Sequence, residues 1–488
     1  MEEKIVVPFA PILVESTRSI GYSFEAAVAD IIDNSISAGA TGVNIDFQSK
    51  DPAWLCIMDN GSGMTEEELI NAMRYGSKSA LDERREDDLG RFGLGMKMAS
   101  LSQCRKLTVM TKKDGKISAA CWDLDYINKT NNWALITYEP KDIEQLPGFS
   151  WIDETQSGTV VLWQNFDRLN PGATNFHKAF DEKIELTRKH VALVFHCYLD
   201  TGIGNKHPLK ISFNEEMVKG IDPFLETHPA TQRLGEYPIL IGNEQIKVRP
   251  YILPISSKLT KKQIEELGGK DEFKRSQGFY VYRNKRLIIW GTWFRLIKQD
   301  ELGKLARVRV DIPNTLDSIW DIDVKKSRAS LPYMIRKNLV DIVDNAVGRS
   351  ERVYRYRGRN VQNDELIHAW NLIEERDRFG YRVNHELPVL QMLYDKIDKE
   401  SRKLLDVFIN MLEEEFPYSD VYYRKAKNEQ SFSEGNLEEE KVYKAAESMI
   451  AQMDSDEKIQ AFLPTIKYID FFSKYPNVIK RIQEVYGK

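Results

Sequence analysis

Three clusters of carboxylate, carboxamide and glycine, each set against an apolar element, constrain this chain more tightly than anything else in its sequence. The first, Asp30-Ile31-Ile32-Asp33-Asn34, lies inside FEAAVADIIDNSISAGA, where apolar residues recur at helical spacing. Ser23 reads as the N-cap, Glu25 falls in the first turn, and Gly39 predicts the stop. The second, Asp59-Asn60-Gly61-Ser62-Gly63-Met64, follows WLCIMD, which reads as a strand after the strand VNIDFQ and the turn-like SKDPA. The third, Gly90-Arg91-Phe92-Gly93-Leu94-Gly95-Met96-Lys97, opens a helical run through Ser100. Between the last two come a helix at TEEELINAMRYG and a charged loop, SALDERREDDLGR; KLTVMTKK, ISAACWDL and TVVLWQNF predict further strands. This mixture predicts an α+β fold with helices on one face of a mixed sheet.

Each cluster has a chemical reading and a plain one. Asp30 and Asn34 are four apart and project from one helix face, with Asp33 beside them. Carboxylate and carboxamide oxygens suit Mg²⁺, which keeps several waters, although an isolated D-x-x-D-N is more often a solvated face. Asp59 can accept a hydrogen bond from an exocyclic amine, and Gly61 and Gly63 admit a ligand close to the main chain. The plain reading there is an ordinary Asp-Asn-Gly turn. A glycine loop feeding a helix N-terminus presents N–H groups and the positive dipole end to phosphate. The Gly90–Lys97 loop is not a P-loop, because the Gly-Lys-Ser/Thr ending is missing, and Met98 occupies the third glycine's place of a Rossmann fingerprint. Ser157-Gly158-Thr159 opens the apolar strand Val160–Trp163, a pattern that alone means nothing.

The 488 residues predict roughly three domains. The charge balance, 69 basic against 74 acidic residues, gives −5, so any nucleic-acid contact must come from a local patch. Cys56, Cys104, Cys121 and Cys197 lie far apart without a CxxC pair, which argues against a zinc site or disulfide framework and for a reducing cytoplasm. No apolar run approaches the ~20 residues of a membrane helix, and the acidic, Pro-broken start does not read as a secretory signal. A second mixed segment from about Pro208 includes the strand IKVRPYILP, the helix KKQIEELGG and the strand-like GFYVYRNKRLIIW. Beyond Pro332 the pattern is helical throughout, in YMIRKNLVDIVDNAVG, ELIHAWNLIEERDR and LPVLQMLYDKIDKESRKLLDVFINMLEEEF, with a polar linker near 424–440. His190 and His196 lie near VALVF and read as satisfied core or edge histidines rather than ligands.

In this order the clusters resemble the GHKL ATPase superfamily of gyrase B, heat-shock chaperones, histidine kinases and MutL. Asp30–Ser35 is similar to its N box, Asp59–Gly63 to its first glycine box, Gly90–Lys97 to its second, and Gly158-Thr159 to the distal Gly-Thr. AVADIIDNSISAGA and GRFGLGMKMAS look closest to bacterial MORC-like or MutL-like proteins, and GFYVYRNKRLI and DIDVKKSRASLP resemble the transducer domain that follows. The resemblance implies a GHKL (Bergerat) α/β sandwich over 20–207 after an N-terminal arm, 1–19. A smaller α/β transducer-like domain over 208–335 and an all-helical C-terminal region over 336–488 follow. It also implies roles. Asn34 holds Mg²⁺ against the triphosphate; Asp59 reads the adenine amine, with Gly61, Gly63 and Met64 giving backbone room and Thr159 supporting the carboxylate. Gly90, Arg91, Phe92, Gly93, Leu94, Gly95, Met96 and Lys97 wrap the phosphates, and Lys325 or Lys326 reaches the γ-phosphate.

The implied activity is Mg²⁺-dependent hydrolysis of ATP to ADP and phosphate, coupled to closure of a homodimer that an arm such as Met1–Ser19 can cross. The family's general base is usually Glu, and here Asp30 stands in its place, one methylene shorter, which implies slow turnover. The setting implied is DNA-related, of the restriction or phage-defence type, with a nuclease or other effector subunit as possible partner. An ATPase subunit of a type II topoisomerase-like complex and a non-hydrolysing ATP-sensing scaffold are the alternatives. A sensor-kinase plan is disfavoured, because it places a phosphoacceptor helix pair before the N box, where this chain shows no histidine. Arg349, Arg352, Arg355, Arg357 and Arg359, interleaved with Tyr354 and Tyr356, read equally as a nucleic-acid contact or as a solvated connector.

Overall fold

The computed structural model describes residues 3–4, 8–19, 21–76, 95–169, 175–199, 208–299, 303–316, 320, 333–355, 366–375, 378–426 and 438–487. They fall into two compact units, Met1–Tyr354 and Arg355–Lys488. In the first, helix α1 (Ala10–Arg18) precedes α2 (Phe24–Ser37), which starts where Ser23 predicts: its hydroxyl accepts the Ala26 N–H at 3.3 Å. Gly39, at φ +75°, lies just past the helix end. Strands β1 (Gly42–Gln48) and β2 (Trp54–Asp59) form a hairpin, and α3 (Glu66–Met73) opens with a Thr65/Glu68 capping box. Then come α4 (Gly95–Gln103), β3 (Cys104–Lys113), β4 (Lys116–Asp123), α5 (Leu124–Thr130) and β5 (Ile136–Thr137). After short α6 (Pro140–Ile143) and α7 (Phe149–Glu154) follow β6 (Gly158–Phe166), α8 (Phe176–Val194), β7 (Lys210–Phe213) and β8 (Glu216–Met217).

The eight strands form one sheet, ordered β5-β4-β3-β6-β2-β1-β7-β8, antiparallel but for the parallel β1–β7 pair. Its central strands are apolar on both faces, so both must be covered. Leu55, Ile57, Val109, Val161 and Trp163 join a core with Val28, Ile31 and Ile32 of α2, Ala99 of α4 and Phe180 of α8. Cys56, Met58, Met110, Val160 and Leu162 turn the other way and meet Ile143 of α6 and Ile152 of α7. The long helices thus share one face, as expected, and a small helical pair covers part of the second.

The expected free arm is corrected over Ala10–Arg18. Ala10 and Val14 enter the domain's own core, and the buried Arg18 donates through Nε to the Leu101 carbonyl at 2.6 Å. Its guanidinium also pairs with Glu15 and Asp167. An arginine desolvated this fully needs those acceptors, and they lie in the same chain.

A second sheet carries β9 (Gln232–Arg233), β10 (Tyr237–Ile241), β11 (Glu244–Ile252), β12 (Gly278–Arg283), β13 (Arg286–Thr292) and β14 (Ala306–Ile312). Its order is β10-β11-β14-β12-β13, with β9 on β11 and β12 parallel to β14. The run GFYVYRNKRLIIW is a hairpin rather than one strand. Asn284 and Lys285 both take positive φ, 48° and 65°, which turns the chain tightly between β12 and β13. Helices α9 (Lys261–Glu266), α10 (Gly269–Arg275) and α11 (Tyr333–Arg355) adjoin this sheet. Ile335 of α11 enters the second core, and so do Leu339, Ile342 and Val343 beyond the expected boundary at 335.

Among its described residues the C-terminal unit is helical except for one hairpin, β15 (Trp370–Glu375) and β16 (Arg378–Val383). This corrects the helix expected over ELIHAWNLIEERDR: aromatic and β-branched residues there pair across strands. Helices α12 (Pro388–Lys396), α13 (Lys399–Glu414), α14 (Tyr418–Ala426), α15 (Glu439–Ile450), α16 (Asp456–Phe462), α17 (Asp470–Ser473) and α18 (Pro476–Tyr486) follow. The continuous helix expected from Leu387 breaks at Ile397, and Asp398 caps α13 by accepting the Glu400 and Ser401 N–H groups at 2.9 Å. Most of the expected polar linker lies outside the described residues. Among the described residues no helix is long and apolar enough to cross a membrane.

Trp163, fully buried on β6, meets Phe24 edge-on at 5.8 Å between ring centroids. Trp163→Ala is expected to destabilise the N-terminal unit by about 3–5 kcal/mol, read as a shifted urea transition by circular dichroism.

Candidate functional site

Helix α2 and the end of β2 bring the first two clusters together through a residue that the sequence reading passed over. The Ser35 hydroxyl, one position after Asn34, donates to Asp59 Oδ2 at 3.0 Å, and the Gly61 N–H donates to Oδ1 at 2.9 Å. Asp59 is buried, and burial pushes its carboxyl above the ordinary aspartate range against the opposing pull of those two donors. The result is a desolvated, doubly oriented acceptor.

The glycines around Asp59 serve the chain's own backbone first. Gly63 has φ +62°, and a Cβ there would run into the Lys112 carbonyl of β3. A Cβ on Gly158 would strike the Asp59 carbonyl, and one on Gly61 would lie 2.8 Å from the Ala38 Cβ and from Asp59 Oδ1. The expectation that Gly63 leaves space for a ligand is therefore corrected: the space beside its α-carbon is filled by β3. Asn60 is likewise structural, its Oδ1 accepting the Thr41 and Gly42 N–H groups at 2.9 Å.

Thr159 is the β6 residue in register with Asp59, and its hydroxyl lies 3.4 Å from that of Thr111. Thr111 is a second residue missed from sequence. It accepts the Met64 N–H at 2.8 Å and donates to the Gly158 carbonyl at 3.1 Å, so one side chain ties the first glycine cluster to the distal Gly-Thr. Nothing marks it within KLTVMTKK except the cross-strand register.

On α2 the helical spacing splits the polar residues. Asn34 is exposed, whereas Asp30 and Asp33 are buried. The Tyr22 hydroxyl donates to Asp30 Oδ2 at 3.0 Å. Asp33 faces away to Arg286 of β13, whose Nε donates to both carboxylate oxygens at 2.7 and 2.8 Å; the two side chains are 1% and 5% exposed. The Arg286 guanidinium also stacks over Phe195 at 5.4 Å. Burial draws His190 and His196 down to about 4; His196 is buried, its Nδ1 2.7 Å from the Leu193 carbonyl, and the half-buried His190 packs beside Trp290.

The third cluster enters the description at Gly95, whose α-carbon faces open space. Gly90, Arg91, Phe92, Gly93 and Leu94 lie outside the described residues, as do Lys325 and Lys326. Met96 is half-buried at the start of α4. Lys97, expected among the phosphate ligands, is a correction. It is buried, and its ammonium donates to the Ala72 and Arg74 carbonyls at 2.7 and 2.8 Å. The last carbonyls of a helix carry partial negative charge and lack intrahelical donors, which is why α3 captures it. Burial still pulls the Lys97 ammonium down to about 8.

Of the arginine patch, Arg349 is exposed and donates to Asn345 Oδ1 at 3.2 Å. Arg352 and Arg355 lie on α11, and Arg357 and Arg359 lie outside the described residues. No group of three or more His, Cys, Asp or Glu side chains among the described residues suits a metal ion.

Residues 22–159 match the family described as Histidine kinase-, DNA gyrase B-, and HSP90-like ATPase. The matched span runs from Tyr22 to Thr159, and so encloses the site just built. Over 95 residues the chain is 34% identical to ATPase morc-1 of Caenorhabditis elegans, a match covering 19% of this chain and 11% of that protein. Over 107 residues it is 33% identical to ATPase MORC2B of Mus musculus, covering 21% and 10%. It is 24% identical over 138 residues to the DNA mismatch repair protein MutL of Thermosipho melanesiensis, covering 28% and 22%. The matches thus span about a tenth to a fifth of these relatives. Residues 22–159 match the GHKL ATPase family and are similar to a stretch of MORC and MutL proteins, inside the α+β fold described above.

Arg286→Ala takes from the buried Asp33 a guanidinium bonded to both of its oxygens, and is expected to cost about 3–5 kcal/mol of stability, measured by chemical denaturation. Gly63→Ala is expected to abolish binding of a fluorescent ATP analogue, because β3 and the turn cannot both keep their places.

Proposed function

We propose that this protein binds Mg²⁺–ATP in the α2/β2 site, hydrolyses it slowly, and uses the nucleotide to gate closure of a homodimer. The observation that carries the reading is Asp59, a buried carboxylate fixed by Ser35 and Gly61 at a strand end. Such an acceptor suits an exocyclic amine. Asn34, exposed on the next turn from Asp30, would hold Mg²⁺ through its amide oxygen. When bound, the ion neutralises triphosphate charge. Asp30 would orient the attacking water and take its proton, with Tyr22 holding the carboxylate in place. Lys325 or Lys326 would supply the remaining positive charge.

The second sheet would act as the transducer. Asp33 and Arg286 support this, because they join the helix bearing Asp30 to the β12–β13 hairpin. The likeness to MutL, named a DNA mismatch repair protein, supports a DNA-related task. We place the protein in a restriction or phage-defence type of system, in the cytoplasm, with an effector subunit as partner and the Arg349–Arg359 segment as its DNA contact.

The test is ATP turnover by the purified chain, with and without duplex DNA. Asp30→Asn is expected to keep ATP binding and lower turnover at least ~10²-fold, while Asp59→Asn loses binding itself. Binding without turnover in the wild-type chain would instead establish an ATP-sensing scaffold. Because burial raises the Asp59 carboxyl, it takes up its proton at a higher pH than an ordinary aspartate. Affinity for ATP is therefore expected to fall on acidification before the ordinary carboxylate range is reached.

A further inference from the structure

Helix α13 has two apolar faces, and one of them packs among the described residues of the C-terminal unit. On the inner face Ile409 packs with Leu390 and Tyr394 of α12, and Glu413 accepts from the Val383 N–H at 2.7 Å and from Arg382 at 2.6 Å. On the opposite face Leu404, Val407, Phe408, Met411 and Leu412 are 72, 55, 56, 54 and 47% exposed. At about 100° per residue these five span roughly 140° of the helix, and Leu404, Phe408 and Met411 follow the 4-then-3 spacing of a helix-pairing seam. Five large apolar side chains in one exposed stripe mark an interaction surface rather than scattered surface residues.

The charges beside the stripe say what covers it. Lys403 and Glu414 are both exposed and stand on the same edge, near opposite ends of the helix. In an antiparallel pair about a two-fold axis, each edge meets its own copy, and residue 403 of one helix comes level with residue 413 or 414 of the other. Lys403 then faces the second copy's Glu414, twice over. In a parallel pair this edge would face the one bearing Ser401, Leu405 and Leu412, where no counter-charge stands. Glu414 also accepts from Arg382 at 3.2 Å, but it keeps 72% of its side chain exposed, so it can take a second donor.

We infer that the stripe on α13 is a self-association surface: two copies of this chain pair their α13 helices antiparallel, with Phe408 at the two-fold axis, in the absence of nucleotide. The contact is separate from ATP-gated closure and does not rest on it.

The experiment is sedimentation velocity on the full chain without nucleotide. Wild type is expected at twice the monomer mass, and Phe408→Glu at the monomer mass with unchanged circular dichroism and melting. Lys403→Glu and Glu414→Lys are each expected to weaken the dimer by about tenfold, and the double variant to recover most of that loss. Geometry is read by oxidation: Phe408→Cys should give a disulfide-linked dimer. Leu404→Cys should not, since its two copies would lie ~12 Å apart along the helices. A wild-type monomer at every concentration reached would overturn the inference, as would a dimer that Phe408→Glu leaves intact. A dimer in which Leu404→Cys links and Phe408→Cys does not would overturn the antiparallel register.

Discussion

The ion pair between Asp33 and Arg286 is the constraint on which the N-terminal unit depends. Two charged groups 253 positions apart are taken almost wholly out of water, and each faces the other there through two short hydrogen bonds. A buried pair of this kind adds little net stability compared with an apolar contact, but its geometry is exacting and its loss is costly. It therefore fixes one arrangement of α2 against the β12–β13 hairpin. The same helix carries Asp30 and Ser35, so the place of the second sheet bears on the place of the site's carboxylates.

The site itself is built by register more than by loops. Asp59 ends β2, Thr159 begins β6 opposite it, and Thr111 on β3 reaches both Met64 and Gly158. Three neighbouring strands thus hold one polar corner, and the glycines at 61, 63 and 158 are the points where their backbones approach too closely for a side chain. A carboxylate placed on so rigid a support keeps its direction whether or not a ligand is present, which lowers the entropic cost of recognition.

Much of this was legible in the chain. The cap at Ser23, the strands VNIDFQ and WLCIMD, and the capped helix after Thr65 are local signals, and each element lies where its residues predict. Asp30, Asn34 and Asp59 stand out because their polar groups interrupt apolar periodicity. What could not be read was whatever depends on a distant partner. Thr111 looks like any strand threonine until β6 is laid beside it, and Arg286 like a surface residue until α2 supplies its counter-charge. Lys97 misled for the opposite reason: its position beside a glycine loop suggested phosphate, while the acceptors that take it, the Ala72 and Arg74 carbonyls, belong to backbone that no side-chain pattern reveals. In the C-terminal unit, the break at Ile397 was signalled by Asp398, a good cap, but the helical periodicity on either side concealed it.

The capture of Lys97 has a consequence for the architecture of this region. The end of α3 is held by two side chains from elsewhere, Lys97 on the Ala72 and Arg74 carbonyls and the Trp122 indole on the Met73 carbonyl at 2.9 Å. The chain that leaves α3 and the chain that enters α4 are therefore fastened to each other by hydrogen bonds, independently of the peptide bonds between them. The clasp is one ammonium group on two carbonyls, so the end of α3 and the start of α4 hold their spacing by charge as well as by the covalent chain.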